Sequence, residues 1–276
     1  MRVLIAEEKD IDRAVDLAMS LQDNPETRCR PLGQKASRQE LYDYYLTYVR
    51  GDSDNLLLVE DEGRLVGCTG MYWMEADKYV TYIQGPYGYD YQGVSTCLYN
   101  YILDHFKGYS FYVNTAREHK QSIAFFESKG FNQIEDAVLM TLENYRGDYW
   151  HQAVEGINDT NKEVLFQWID RHVDEDTYWN SDRISQRLDY FIILGYFDQG
   201  LKGHIIGRGS SDYTEVIGFT GSDHVKEELF KTFLTEAGRK NVNSIDLYTE
   251  EADEVALGHK YKFDLTDNNQ CFLKHL

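Results

Sequence analysis

The sequence contains few prolines and no paired cysteines. Three prolines in 276 residues impose few breaks on regular structure, and an apolar fraction of 42% argues against disorder. The four cysteines, Cys29, Cys68, Cys97 and Cys271, lie far apart and form neither a CxxC pair nor a Cys/His metal spacing. We therefore expect reduced thiols and no metal site.

Long apolar runs and an excess of basic residues are also missing. No stretch approaches the roughly 18 apolar residues of a membrane span, and the apolar run within residues 1–8 is too short for a secretion signal. These features predict a cytoplasmic protein that does not bind membranes. The net charge is −19, so nucleic-acid binding, which depends on cationic side chains, is not expected. That charge either serves solubility alone or steers cationic acceptors to the protein.

The most informative stretch runs from residue 82 to residue 131. A strand over residues 78–84 is expected to break at Gly85-Pro86 and to lead into a loop that contains Gly93. After that loop, apolar residues four positions apart predict one face of a helix: Leu98, Ile102 and Phe106. A helix start of this kind leaves backbone N–H groups available at the positive end of the helix dipole, which favours phosphate binding. The alternative is an ordinary loop that Ser95 or Thr96 caps.

Two segments resemble motifs of the GNAT superfamily of acyl-CoA-dependent N-acyltransferases. Residues 90–95 (DYQGVS) fall on the loop motif Q/R-x-x-G-x-G/A, and residues 122–131 (SIAFFESKGF) fall on the helix motif A-x-x-x-Y-E-x-x-G-F. Three of the departures from the pattern bear on the chemistry. Asp90 replaces a neutral or cationic residue, Ser95 replaces Gly or Ala, and Phe126 stands where many members carry a tyrosine that serves the leaving thiolate.

The resemblance implies acetyl-CoA, or another acyl-CoA, as the co-substrate. In this family two neighbouring strands, here residues 79–84 and 110–114, separate so that the pantetheine arm can lie between them, and a backbone N–H polarises the thioester carbonyl. The cofactor-binding residues expected from the resemblance are Ile83, Gln84, Gln92, Gly93, Val94, Ser95, Thr96, Asn114 and Phe126.

Candidates for proton transfer lie on both sides of this loop. For the general base the sequence offers Glu75, Asp77, Tyr79 and Tyr82, of which we select Glu75; Glu75 and Asp77 could equally be turn residues. For the acid we select Tyr99, with Tyr91 and Tyr89 as alternatives. His119 is expected either to contact a ligand or, as the simpler interpretation, to be an exposed histidine at a helix start.

The element order of the first half recurs in the second half. Alignment of Phe263 with Phe131 gives an offset of 132 residues. We predict an α+β protein of two tandem GNAT-like domains, residues 1–145 and 146–276, each a mixed, mostly antiparallel sheet flanked by helices. In the second domain Ser222 or Asp223 is expected to cap the helix and to consume the amides that a pyrophosphate needs. The C-terminal domain is therefore expected to be degenerate.

These features predict transfer of an acyl group, expected to be acetyl, to a primary amine of a small molecule or a peptide. The alternative is a catalytically inactive GNAT-fold protein that binds a ligand or a partner. A further alternative places the CoA site in the C-terminal half, against which Asp223 argues. The sequence leaves open whether the protein is a homodimer.

Overall fold

The computed structural model describes residues 1–23, 36–52, 54–172, 179–209 and 212–276. The chain forms two compact units. Unit 1 contains residues 1–137 and 266–276, and unit 2 contains residues 138–265. Cys29 lies outside the described residues.

The elements follow in chain order. The first ten are β1 (Arg2–Ile5), α1 (Ile11–Leu21), α2 (Arg38–Arg50), β2 (Asp54–Asp61), β3 (Arg64–Met74), β4 (Tyr79–Gly88), α3 (Tyr91–His105), β5 (Ser110–Ala116), α4 (Lys120–Ser128) and β6 (Asn132–Glu143). The remaining ten are β7 (Val154–Gly156), α5 (Lys162–His172), α6 (Ser181–Ser185), β8 (Phe191–Phe197), β9 (Leu201–Gly209), β10 (Tyr213–Thr220), α7 (Asp223–Arg239), β11 (Ser244–Thr249), α8 (Ala252–Lys260) and β12 (Asp264–His275). The predicted recurrence of element order is confirmed.

Each unit contains a mixed sheet. In unit 1 the neighbouring strands are β1-β2-β3-β4-β5-β12, and only the β4/β5 pair is parallel. In unit 2 they are β6-β11-β10-β9-β8-β7, and only the β10/β11 pair is parallel. The α+β fold class and the mostly antiparallel sheets are therefore as predicted.

The closing strand of each sheet comes from the other half of the sequence. Residues 269–275 of β12 pair with β5 in unit 1, and residues 138–143 of β6 pair with β11 in unit 2. The two compact units thus differ from the sequence segments 1–145 and 146–276. Each unit nevertheless contains most of one half of the sequence. Strand partners distant in sequence depend on tertiary pairing, which local pattern does not encode.

Local signals fixed several elements of unit 1. Ser37 caps α2, its side chain accepting the Glu40 N–H, while the Glu40 carboxylate accepts the Ser37 N–H. Both bonds belong to a capping box, which the spacing of Ser37 and Glu40 in the sequence predicts. The predicted face of α3 is buried, with Leu98 and Ile102 fully enclosed and Phe106 nearly so.

The strand β4 differs from its prediction. It does not end at Gly85-Pro86 but continues to Gly88, and its register against β3 shifts twice, between Cys68 and Gly70 and between Gly70 and Met71. Extra residues of this kind bend a strand, and proline, which lacks an N–H, is tolerated at such bulges. Pairing between β4 and β5 extends only from Tyr79↔Ser110 to Tyr82↔Val113. Beyond that pair the two strands separate.

Two glycines bring α3 against the sheet at this separation. A Cβ at Gly67 would overlap the Val94 side chain, and one at Gly88 would lie 2.8 Å from a Val94 methyl carbon. Val94, in the first turn of α3, is itself fully buried. The helix therefore begins directly over the end of β4.

Candidate active site

The first turns of α3 and α4 meet where β4 and β5 separate. The Tyr91 ring of α3 lies 4.5 Å, centroid to centroid, from the ring of His119, the N-cap residue of α4. Ser95 lies one helical turn after Tyr91 and so on the same face of α3. Tyr82 is the last β4 residue paired with β5, and Thr115 follows two residues after its partner Val113. These residues enclose one end of unit 1.

Buried polar atoms are concentrated in this region. Five of them have no hydrogen-bond partner among the described residues: Tyr82 Oη, Ser95 Oγ, Asn114 Oδ1, Thr115 Oγ1 and His119 Nε2. Buried polar groups in folded proteins are almost always hydrogen-bonded, so each such atom requires an explanation. A bound polar molecule at the end of the two strands would supply the partners.

His119 is fully buried, and the prediction of an exposed histidine is therefore wrong. Its Nδ1 accepts the Ser122 N–H at 3.0 Å and caps α4, which leaves the proton of the neutral ring on Nε2. Burial lowers the pKa of His119 to about 4. At neutral pH the residue therefore presents an uncharged N–H donor.

This buried imidazole should make stability depend on pH. The pKa of His119 is about 4 in the folded chain against an ordinary 6.5, so the unfolded chain binds the proton first as pH falls. Stability should fall between pH 6.5 and 4, by up to about 3 kcal/mol for one such histidine. His204 in unit 2, whose pKa burial also lowers to about 4, should add a similar fall.

Denaturant unfolding of His119→Asn across this pH range checks the expectation. Asparagine can accept the Ser122 N–H through its side-chain oxygen in place of Nδ1, so the variant should fold normally but show a shallower loss of stability on acidification. A wild-type curve that is flat from pH 6.5 to 4 would contradict the assignment.

The loop residue Asp90 occupies part of the predicted phosphate-binding site at the start of α3. Its Oδ1 accepts the Gly93 N–H at 3.1 Å, and its carbonyl accepts the Val94 N–H at 2.9 Å. Because α3 already begins at Tyr91, Ser95 and Thr96 lie within the helix, where backbone N–H groups bond to preceding carbonyls. The backbone N–H groups of the five loop residues 92–96 are therefore not all available to a phosphate. Of these residues, Gln92 and Gly93 lie in the first turn of α3. The Asp90 carboxylate competes with a phosphate for the Gly93 N–H.

Replacement of Asp90 by asparagine should strengthen binding of acetyl-CoA. Asparagine caps a helix about as well as aspartate, so the stability of α3 should be retained. Removal of the negative charge at the phosphate-binding site should lower the dissociation constant for acetyl-CoA by about 3- to 10-fold. Calorimetric titration of both proteins measures this change, and weaker binding by the variant would contradict a phosphate site at this turn.

Glu75 lies away from the other candidate residues. It is in the turn before β4, at the end of the strand opposite α3, where its carboxylate pairs with the Lys78 ammonium and accepts the Tyr109 hydroxyl. The Lys78 hydrogen bond, followed by that of Tyr109, lowers the pKa of Glu75. A lowered pKa and a distant position both argue against Glu75 as the general base. The role remains an untested prediction.

The predicted acid and the aromatic residue of the helix motif also differ from expectation. Tyr99 is nearly buried, and its hydroxyl accepts the Lys274 ammonium at 2.9 Å. Phe126 is fully buried among aromatic side chains, with Phe131 at 5.1 Å and Phe272 at 6.4 Å between ring centroids. Phe126 thus contributes to the core of unit 1 and brings no polar atom to the candidate site.

Tyr82 is the hydroxyl placed where β4 and β5 part. Its ring packs edge-on against Phe111 at 4.9 Å. Burial, reinforced by nearby groups such as Tyr91, raises the pKa of Tyr82 well above its ordinary value. The phenol therefore stays protonated and can donate a hydrogen bond, although the sequence suggested it as a base. The backbone of Ile83 and Gln84 continues β4 from this point, and their side chains lie outside what the structure describes.

Unit 2 has a charged cluster at the corresponding place. Its strands β10 and β11 also pair over four residues, to Val216↔Leu247. The Lys226 ammonium, in the first turn of α7, pairs with Glu254 at 2.7 Å and Asp253 at 2.9 Å, both at the start of α8. The second oxygen of the Glu254 carboxylate, Oε2, accepts a hydrogen bond from the hydroxyl of Thr249 at the end of β11.

The unit 2 cluster satisfies its polar groups internally, whereas the unit 1 atoms described above remain without partners. Ser222 is the N-cap of α7 as expected, but its side chain makes no capping bond. The predicted consumption of amides by a Ser222 cap is therefore wrong. Lys226, which the sequence analysis did not single out, instead joins the first turns of the two helices.

The described part of the chain has neither a membrane-spanning helix nor a metal-binding cluster. Within residues 1–23, 36–52, 54–172, 179–209 and 212–276, no helix has the length and apolar character needed to cross a membrane. In the same part of the chain, no cluster of His, Cys, Asp and Glu side chains has an arrangement that could hold a metal ion.

Comparisons with known proteins agree with the fold. Residues 20–131 match the sequence model of the Acetyltransferase (GNAT) family. A search of curated proteins gives no match.

Three solved structures are similar over 99% of this chain. A GCN5-related N-acetyltransferase from Sphaerobacter thermophilus has a TM-score of 0.68 and 11% identity over 95% of its length. A putative acetyltransferase from Pyrococcus horikoshii gives 0.56 and 14% over 89%. A tandem GNAT protein from the clavulanic acid biosynthesis pathway gives 0.54 and 11% over 98%. At these identities the structures establish the fold. The similarity to the Acetyltransferase (GNAT) family at the level of sequence covers residues 20–131.

Proposed function

We propose that the protein is an acyl-CoA-dependent N-acyltransferase that uses acetyl-CoA and acylates a primary amine of a small molecule or peptide. The observation that carries this proposal is the set of buried, unpartnered polar atoms at the end of β4 and β5 in unit 1. Two of them belong to residues near helix starts, Ser95 one turn into α3 and His119 at the N-cap of α4, and a helix N-terminus favours a phosphate. The match of residues 20–131 to the Acetyltransferase (GNAT) family model supports the reaction class.

The residues at this end of unit 1 fit an acyl-CoA by chemical type. The first turn of α3, at Gln92 and Gly93, would hold the pyrophosphate through backbone N–H groups and the helix dipole. Ser95 and Thr115 hydroxyls and the His119 Nε2–H offer partners for the amides and hydroxyl of the pantetheine arm. We assign polarisation of the thioester carbonyl to a backbone N–H of β4 at Ile83 or Gln84.

We assign the hydrogen bond to the departing sulfur to Tyr82, because Phe126 has no hydroxyl. The acyl-CoA supplies an activated carbonyl carbon, which the neutral amine nitrogen attacks while the carbon–sulfur bond breaks. The buried Tyr82 hydroxyl would donate a hydrogen bond to the departing sulfur, and the amine proton would pass to water. A thiolate leaves readily, so the absence of a hydroxyl at Phe126 lowers the rate without preventing transfer.

The alternative is a GNAT-fold protein that binds its ligand without turnover. Two observations favour it: Asp90 caps α3 through the Gly93 N–H, and Phe126 has no acid group. Under either function we place the protein in the cytoplasm, with no nucleic-acid or membrane partner.

Release of CoA thiol from acetyl-CoA in the presence of a panel of primary amines distinguishes the two functions. Turnover with at least one amine, with the amide identified by mass spectrometry, would support the transferase. Binding of acetyl-CoA with no turnover on the whole panel would favour the inactive binder. Absence of binding would overturn both.

A further inference from the structure

Unit 2 contains a cavity that the proposed function does not use. The cavity has a volume of about 200 Å³ and lies between the first residues of β8, the last residues of β9 and the segment that follows α7. Its lining also includes Thr214, the second residue of β10. The strands β10 and β11 separate beyond Val216↔Leu247, toward their other ends. The cavity is therefore not the counterpart, within unit 2, of the candidate active site of unit 1.

One part of the cavity wall is apolar. Phe191 and Ile192 at the start of β8 and Val242 after α7 line it, and each of these side chains is less than a tenth exposed. Gly207 and Gly209 of β9 also line the cavity, so the backbone itself forms that part of the wall. A short aliphatic group placed here would be removed from water, which favours binding.

Two charged residues of opposite sign complete the lining. Asp189 belongs to the 3₁₀ turn Leu188–Tyr190 that precedes β8, and Lys240 follows the last residue of α7. Within the described part of unit 2, neither the Asp189 carboxylate nor the Lys240 ammonium has an ion-pair or side-chain hydrogen-bond partner. Lys226 and Lys231 of α7, by contrast, both pair with carboxylates. The cavity thus has one anionic and one cationic group that the protein leaves available.

Thr214 adds a neutral polar group to the same wall. Its side chain is only 2% exposed, and its hydroxyl makes no hydrogen bond to any of the described residues. Polar groups in such enclosed positions are normally hydrogen-bonded to protein, water or ligand. A polar molecule in the cavity would supply the partner.

We propose that this cavity binds a free α-amino acid with a short aliphatic side chain. The Asp189 carboxylate would pair with the ammonium of the ligand, and the Lys240 ammonium with its carboxylate. The aliphatic side chain would lie against Phe191 and Val242. The volume is below the roughly 300–1,000 Å³ of pockets for drug-sized molecules, which suits a ligand of this size. One available group of each sign favours a zwitterion over a singly charged ligand.

Calorimetric titration of L-leucine into the full chain tests this site. Two ligands with the same branched carbon chain serve as controls: 3-methylbutylamine, which lacks the carboxylate, and 4-methylpentanoate, which lacks the ammonium. Leucine should bind with a dissociation constant below about 1 mM. It should bind at least about 5-fold more tightly than either control. Absence of leucine binding, or equal binding of the three ligands, would overturn the proposal.

Two variants separate the contributions of the charges. Asp189 and Lys240 are exposed, so Asp189→Asn and Lys240→Gln should both fold normally. Asp189→Asn should weaken leucine and 3-methylbutylamine by at least about 5-fold and leave 4-methylpentanoate unchanged. Lys240→Gln should weaken leucine and 4-methylpentanoate by a similar factor and leave 3-methylbutylamine unchanged. Loss of leucine binding in neither variant would contradict the assignment.

The matched control variant is Lys202→Gln. Lys202 is an exposed lysine at the other end of β9, outside the cavity lining. Leucine affinity should remain within about 2-fold of wild type, because an exposed charge at that distance is screened by salt. If Lys202→Gln weakens leucine as much as Lys240→Gln does, the effect is one of overall charge and the inference fails.

This inference does not rest on the proposed function, and the titrations contain no acetyl-CoA. If acetyl-CoA binds and leucine does not, the inference fails and the proposed function stands. If leucine binds with the expected charge dependence and acetyl-CoA does not bind, the proposed function fails and the inference stands.

Discussion

Replacement of Gly93 by glutamate is expected to weaken acetyl-CoA binding by at least about 100-fold, or roughly 2.7 kcal/mol. A Cβ at this position would overlap the Asp90 carboxylate, and the added side chain would bring a second negative charge to the first turn of α3. Both effects oppose a pyrophosphate. A glutamate in the first turn of a helix is favoured by the dipole, so the variant should still fold.

The matched control is Ser222→Glu in unit 2. It adds the same charge at the start of the corresponding helix, α7, where the Ser222 side chain makes no capping bond. Acetyl-CoA affinity should remain within about 2-fold of wild type, since this charge lies outside the proposed site. If Ser222→Glu abolishes binding and Gly93→Glu does not, the site is in unit 2.

Tyr82→Phe is expected to lower kcat by at least about 10-fold and at the same time to stabilise the protein by about 1 kcal/mol. The Tyr82 hydroxyl is buried without a partner, so its removal relieves a desolvation cost in the free protein. The same removal deprives the departing thiolate of its donor. A residue with only a structural role would not show these two opposite effects together.

Tyr99→Phe provides the comparison for this result. The Tyr99 hydroxyl accepts the Lys274 ammonium, so its loss should destabilise the protein and leave kcat within about 2-fold. Measurement of kcat and of the free energy of unfolding on both variants decides whether Tyr82 or Tyr99 serves the departing thiolate. A selective loss of kcat in Tyr99→Phe would restore the acid role that the sequence predicts.

Local signals in the sequence predicted most elements of unit 1. The α2 capping box, the apolar face of α3 and the hairpin formed by β2 and β3, which a short polar connection containing Gly63 indicates, each depend on residues close together in the chain. The exchange of closing strands was not predicted, because β12 and β5 are more than one hundred and fifty residues apart. Their pairing is set by tertiary contacts.

The start of α3 was predicted, but the detailed chemistry around it was not. The loop motif correctly indicated where α3 begins, yet the capping of Gly93 by Asp90 depends on backbone geometry that a motif does not contain. The burial of His119 depends on the docking of Tyr91 from another helix. Alternation along β5 could have indicated that Thr115 shares the face of Val113.

The most direct test of the central claim is the stoichiometry of acetyl-CoA binding by calorimetry on the wild-type chain. The account predicts one acetyl-CoA per chain, because unit 1 has unpartnered buried groups at its strand separation, while Lys226, Asp253 and Glu254 pair with one another in unit 2. Binding of two molecules per chain, or of none, would contradict it.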